Sequence, residues 1–200
     1  MISDEVYGQV RYDGKWDSIA ALPGMAERTF IVDGFSKAYS MTGWRLGYGV
    51  MPKWLAEPVT TLLINNISCT ATFVQYAGIA ALTGPQDAVK RMVSGLRGKR
   101  DQLVRGLNAI EGISCATPAG AFYCFPDVSG LLERTGLTSE SFAERLLDDA
   151  HVAVLAGSAF GPGGKGHLRM CYATDPTLID LALQRIRSWV GSRPGVAVPR

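Results

Sequence analysis

Short apolar runs separated by turn residues dominate the first part of this chain, and longer helical periods dominate the rest. Residues 1–7 read as the end of a strand entering a loop. Residues 29–32, Thr-Phe-Ile-Val, form a β-branched apolar run and read as a buried strand. Residues 33–37 read as a polar turn. Residues 44–51 resume an extended pattern, with Gly43, Gly47 and Gly49 permitting close backbone approach. Pro52 suits the first turn of a helix carrying Trp54, Leu55 and Val59. The most apolar stretch, residues 59–82, contains Asn65, Asn66 and many Thr and Ser. A bilayer span needs about 20 mostly apolar residues. The stretch therefore reads as a helix pair, or a helix with a connector, and no membrane partner is expected.

From residue 85 the period becomes helical. Val89, Met92, Val93, Leu96, Leu103, Leu107 and Ile110 form one apolar stripe, with Lys90, Arg91, Arg97, Lys99 and Asp101 off it. This helix is expected to end near Gly112. Residues 113–116 and 122–125 read as strands, 139–150 as an amphipathic helix, 152–155 as a strand and 168–173 as another strand. Asp175 and Pro176 supply an N-cap and a first-turn proline for a last helix ending near Val190. Residues 191–200 read as a loose Pro/Gly-rich tail. Alternating helices and strands place the chain in the α/β class. The change of period marks a boundary between residues 1–84 and 85–190.

Composition agrees with a folded chain: 47% of the 200 residues are hydrophobic and 19% charged. Lys+Arg 20 against Asp+Glu 18 leaves +2. That balance carries no electrostatic footprint for nucleic acid or an anionic membrane. No basic segment followed by an apolar one opens the sequence, so no secretory signal is expected and the cytoplasm is the expected compartment. On that basis the sequon Asn66-Ile67-Ser68 carries no weight. Cys69, Cys115, Cys124 and Cys171 are scattered, and His151 and His167 are the two histidines. Buried free thiols in a reducing compartment are expected, and no metal site.

Two nucleotide-binding patterns fail on inspection. Residues 161–166, Gly-Pro-Gly-Gly-Lys-Gly, fit G-x-G-x-x-G, but a strand follows where a helix must. A P-loop would need glycine at Ala159 and Ser or Thr at Gly166. Residues 157–166 read instead as a flexible surface connection.

The strongest chemical signal is residues 35–48. Lys37 follows an apolar strand, at the kind of strand end where α/β sheets place ligands. A lysine in such a cleft is easily desolvated and can act as a nucleophilic amine that forms a Schiff base. Alone it reads far more readily as a solvated surface cation. Asp4 and Tyr7 stand at another strand end, Arg45 follows Lys37, and Arg169 lies on a late strand.

Asp-Glu-Val-Tyr at 4–7, Ser-Lys-Ala-Tyr at 36–39, Thr-Gly-Trp-Arg at 42–45, Gly-Ala-Phe-Tyr at 120–123, Gly-Ser-Ala-Phe-Gly at 157–161 and Arg-Met-Cys-Tyr-Ala at 169–173 occur in this order. Together they resemble the fold-type I pyridoxal-phosphate enzymes, in particular the class I/II aminotransferases. The resemblance implies a remnant of a large mixed-sheet cofactor domain at 1–84 and a smaller α+β domain at 85–190. It implies pyridoxal 5'-phosphate as cofactor, an amino acid and a 2-oxo acid as substrates, and a homodimer. Lys37 would hold the cofactor and shuttle a proton. Asp4 would pair with the pyridine nitrogen, Tyr7 with the ring's phenolic oxygen, and Arg45 and Ser36 with the phosphate. Arg169 would clamp the substrate carboxylate. Tyr123 and Phe160 read as packing residues of the small domain.

Two departures stand out. Gly34 occupies a position where many relatives carry Ser or Thr. The family's long N-terminal half, with its phosphate-binding turn and stacking aromatic, has no counterpart before Asp4. The resulting expectation is the C-terminal portion of an aminotransferase, with weak cofactor binding and little or no turnover alone. The alternatives are a C–S lyase or other enzyme of the same fold, and a non-catalytic partner that dimerises with a full-length relative.

Overall fold

The computed structural model describes residues 1–192. The tail expected at 191–200 lies, from residue 193 onward, outside the described residues. The chain divides into two compact units, one of Met1–Val93 with Ala119–Ala121, the other of Ser94–Pro118 with the chain from Phe122.

The first unit is organised by a three-stranded sheet of β1 (Ile2–Asp4), β2 (Phe30–Gly34) and β3 (Gly47–Val50). β1 and β2 are parallel, with Asp4 paired to Val32, and β3 returns antiparallel to β2. The expected polar turn at 33–37 is corrected here. Pairing of Gly34 with Gly47 extends β2, and a single helical turn, α1 (Phe35–Ala38), then carries Ser36 and Lys37. The expected helix pair is present as α2 (Lys53–Ile67) and α3 (Thr72–Thr83). Val10, Tyr12, Phe35, Ala38 and Val74 are buried. Tyr12 explains why residues 119–121 belong to this unit: its amide donates to the Ala119 carbonyl at 2.9 Å and its hydroxyl to that of Ala121. α2 buries no residue, and Leu62, Ile64, Phe73 and Tyr76 of the helix pair are exposed.

The second unit holds an antiparallel sheet in the order β4 (Tyr123–Cys124), β6 (Leu168–Cys171), β5 (Leu155–Ala156). Its helices are most of α4 (Asp87–Asn108), α5 (Ser129–Thr135), α6 (Ser139–Ala150) and α7 (Pro176–Gly191). α6 starts on a capping box between Thr138 and Ser141, and α7 on Asp175, which accepts from the Thr177 amide at 2.9 Å. Leu103, Leu107, Leu131, Phe142, Leu146, Tyr172 and Ile186 form its core. Burying such side chains is worth about 1.5–3 kcal/mol each against leaving them in water. The expected α4 stripe is buried at Leu96, Leu103 and Leu107, with Arg100 buried among them, donating to Asp101 and the Pro118 carbonyl.

Other expectations are revised. Residues 113–116 make no strand beyond a bridge from Ser114 to Asp127, because the Asn108 side chain takes both backbone groups of Cys115. Residues 129–135 form a helix of about two turns, too short for a repeating apolar stripe. Residues 157–166, expected as a flexible surface connection, form two 3-10 turns, with Gly157 and Gly164 buried against each other. The cysteines are free, with Cys115 and Cys124 buried and Cys69 and Cys171 exposed. Among the described residues no helix is long and apolar enough to cross a membrane.

Candidate active site

Parallel pairing of β1 with β2 brings their C-terminal ends side by side, and Asp4, Tyr7, Ser36 and Lys37 lie at or just after those ends. Asp4 ends β1, exposed, with Oδ1 accepting the Val6 amide at 3.1 Å. Ser36 and Lys37 sit on α1, both half-buried. Arg45 adopts a left-handed conformation (φ 51°, ψ 48°) and its Nη1 donates to the Thr42 carbonyl at 2.9 Å. An arginine in this region costs about 1–2 kcal/mol, and such strain clusters at ligand sites.

Asp4, Gly34, Ser36, Arg45 and Gly47 line one cavity of about 270 Å³. That is slightly below the ~300–1,000 Å³ usual for small-molecule sites. It joins a carboxylate, a hydroxyl and a guanidinium, the donor set for a ligand with a cationic end and an anionic end. Gly34 now has a physical reason. A Cβ there would lie 3.2 Å from the Leu46 carbonyl oxygen and 3.4 Å from the Gly47 Cα, so a serine or threonine would crowd the β2–β3 contact. The Lys37 Nζ lies 5.8 Å from the centroid of the Tyr7 ring.

Two neighbours were not singled out from the sequence. Glu5 is buried and accepts from Ser18 Oγ at 2.6 Å, Trp16 Nε1 at 3.0 Å and Ser3 Oγ at 3.1 Å. Burial pushes its carboxyl up, but these hydrogen bonds together hold it below its ordinary value. It therefore fixes the loop after β1 next to Asp4. Tyr48 donates to Asp33 Oδ2 at 2.9 Å, and burial, reinforced by that carboxylate, pushes its phenol up to about 12. The only sequence signal for Glu5 was its place between Asp4 and Tyr7.

Arg169 belongs to the second unit, on β6, opposite Leu155 of β5. Its guanidinium carbon lies 4.6 Å from the Tyr123 ring centroid and 4.5 Å from that of Phe160. Both rings expected as packing residues thus lie beside the arginine, and Phe160 is 49% exposed. Among the described residues, no group of three or more His, Cys, Asp or Glu could hold a metal ion.

Comparison with known proteins agrees with this geometry. The family described as aminotransferase class I and II matches residues 1–186. An aspartate aminotransferase of Pyrococcus abyssi is 43% identical over 93% of this chain and 47% of its own length. An aromatic-amino-acid aminotransferase of Thermococcus litoralis is 41% identical over 93% of this chain and 47% of its own. The crystal structure of an aromatic aminotransferase from Pyrococcus horikoshii matches with a TM-score of 0.91 at 41% identity, covering 98% of this chain and 52% of that one. The chain spans about half the length of the curated relatives it matches. With its strand-end lysine, its carboxylate–guanidinium cavity and a family match running from residue 1 to residue 186, the chain belongs to the class I and II aminotransferases.

Proposed function

We propose that this chain supplies the lysine side of a pyridoxal-phosphate site and the carboxylate-binding arginine of an aminotransferase acting on an amino acid and a 2-oxo acid. The observation that carries the reading is the single cavity holding Asp4, Ser36 and Arg45 next to the turn bearing Lys37. Bound there, pyridoxal phosphate would supply an electron sink for the bond broken at the substrate Cα. The residues present fit that group. Asp4 offers a carboxylate to a protonated ring nitrogen. Arg45 and the Ser36 hydroxyl offer hydrogen bonds to a phosphate. The Lys37 amine would hold the cofactor and move a proton at Nζ, and the Tyr7 hydroxyl would donate to the ring oxygen. Arg169 offers two parallel N–H groups to an α-carboxylate, which orients the Cα–H bond.

Relatives of nearly equal identity carry aspartate and aromatic names. This supports an α-amino acid as the substrate class without choosing the side chain. Residues 1–84 would act as the cofactor portion and 85–190 as the small domain. Exposed apolar side chains on α2 and α3 support work alongside a second polypeptide, a second copy of the chain in the first instance. The expected compartment is the cytoplasm.

The test is spectroscopic. Purified chain is mixed with pyridoxal phosphate and scanned for a visible absorbance band, with Lys37→Ala as control. A weak, Lys37-dependent band with little turnover is expected. No band, or a band unchanged by Lys37→Ala, overturns the cofactor reading. Full turnover by the purified chain overturns the need for any polypeptide other than further copies of itself. Pyruvate and ammonia from a sulfur amino acid would identify elimination rather than transfer.

A further inference from the structure

We propose that Tyr123 and Phe160 are positioning residues that hold the Arg169 guanidinium as a pre-set carboxylate clamp. This rests on the reading of Arg169 as the substrate-carboxylate residue and adds what makes that arginine competent. An arginine is usually held by a carboxylate, which occupies the N–H edges a ligand needs. Here the structure gives the Arg169 side chain no hydrogen bond or ion pair among the described residues, and its guanidinium carbon lies over two aromatic rings instead, 4.6 Å from the Tyr123 centroid and 4.5 Å from that of Phe160. The ring quadrupoles attract the cation without occupying its N–H donors as a carboxylate would.

The rings are themselves held. Phe160 meets Phe125 edge-on at 6.1 Å, and Phe125 stacks on His167 at 5.1 Å and 15°. Tyr123 leans on Phe122 at 4.8 Å and is fixed by β4, which pairs with the strand bearing Arg169. The 3-10 turn Gly157–Phe160 is fixed by the fit of Gly157 against Gly164, so Phe160 does not hang on a loose loop. A long side chain with several rotors is thereby set before ligand arrives, and the entropy of ordering it is not charged against binding.

The test needs no cofactor and no turnover. The Nε–H resonance of Arg169 is followed in the full chain while pyruvate is added as the carboxylate probe. Phe160→Leu and Tyr123→Leu should each weaken pyruvate binding about five- to tenfold, the size of the penalty for ordering one such side chain. Tyr123→Phe, which keeps a ring face, should stay within about twofold. Arg169→Lys should lose the response. Slow rotation of the guanidinium in the unliganded wild-type chain is expected, and free-arginine rotation overturns the proposal without any substitution. Wild-type affinity in both leucine variants also overturns it. Loss of affinity in those variants alongside an absent Lys37-dependent absorbance band would leave the clamp standing and reject only the cofactor reading.

Discussion

Lys37 Nζ stands 5.8 Å above the centre of the Tyr7 ring, although the two residues leave different strands of the first sheet. Parallel pairing of β1 with β2 creates that proximity, and it ties one prediction to two substitutions. Lys37→Ala should abolish the visible band formed with pyridoxal phosphate. Tyr7→Phe should keep the band but weaken cofactor affinity about fivefold, the worth of roughly one net hydrogen bond. Absorbance titration of both variants checks this, and equal affinity in wild type and Tyr7→Phe would remove Tyr7 from the site.

Acid should act on the first unit through Glu5. Its folded carboxyl sits below its ordinary value of 4.5, so the stabilisation is present above that value and is lost as pH falls through the lowered one. Unfolding in urea at neutral pH and again below about pH 4 should show a steeper loss for wild type than for Glu5→Gln. At neutral pH the variant should be less stable by about 1–3 kcal/mol, since three donors lose a charged acceptor.

Arg45 should show function opposed to stability. Arg45→Gly removes the left-handed penalty at φ 51° and the guanidinium together. Folding stability should hold or rise by up to about 1 kcal/mol. Binding of inorganic phosphate, followed by titration calorimetry, should fall by about tenfold or more, the loss of a charge-assisted pair. A clear loss of stability would show that the strain is not where the structure places it.

Gly164 tests the turns that carry Phe160. A Cβ there would collide with the Gly157 carbonyl, whereas Gly163 has nothing within 4 Å. Gly164→Ala should destabilise the second unit by about 1–3 kcal/mol, while Gly163→Ala should be nearly silent. Thermal melts of the two variants separate a packed turn from a loose one.

The helices were legible in the sequence where an apolar stripe ran for several turns or a cap stood at the start. Residues 139–150 and the Asp175-Pro176 start of α7 are examples. α5 was hidden because seven residues give only about two turns, too few for a repeating apolar stripe, and the strand expected at 113–116 gave way to the Asn108 side chain. The free thiols were legible, but only packing decides that Cys115 and Cys124 are inside and Cys69 and Cys171 outside.

By itself the sequence determined the chemistry available: a strand-end lysine, an aspartate and tyrosine at another strand end, and two arginines, in an order that resembles the aminotransferases. Those are properties of residue type and spacing, which local sequence carries. Tertiary structure decided which groups share a cavity, what a side chain at Gly34 would crowd, that Glu5 is buried with its carboxyl held low by hydrogen bonds, and that two aromatic rings lie beside Arg169. Each depends on which strands pair and which turns pack. Those contacts join residues far apart in the chain, so no local pattern of apolar and polar positions contains them.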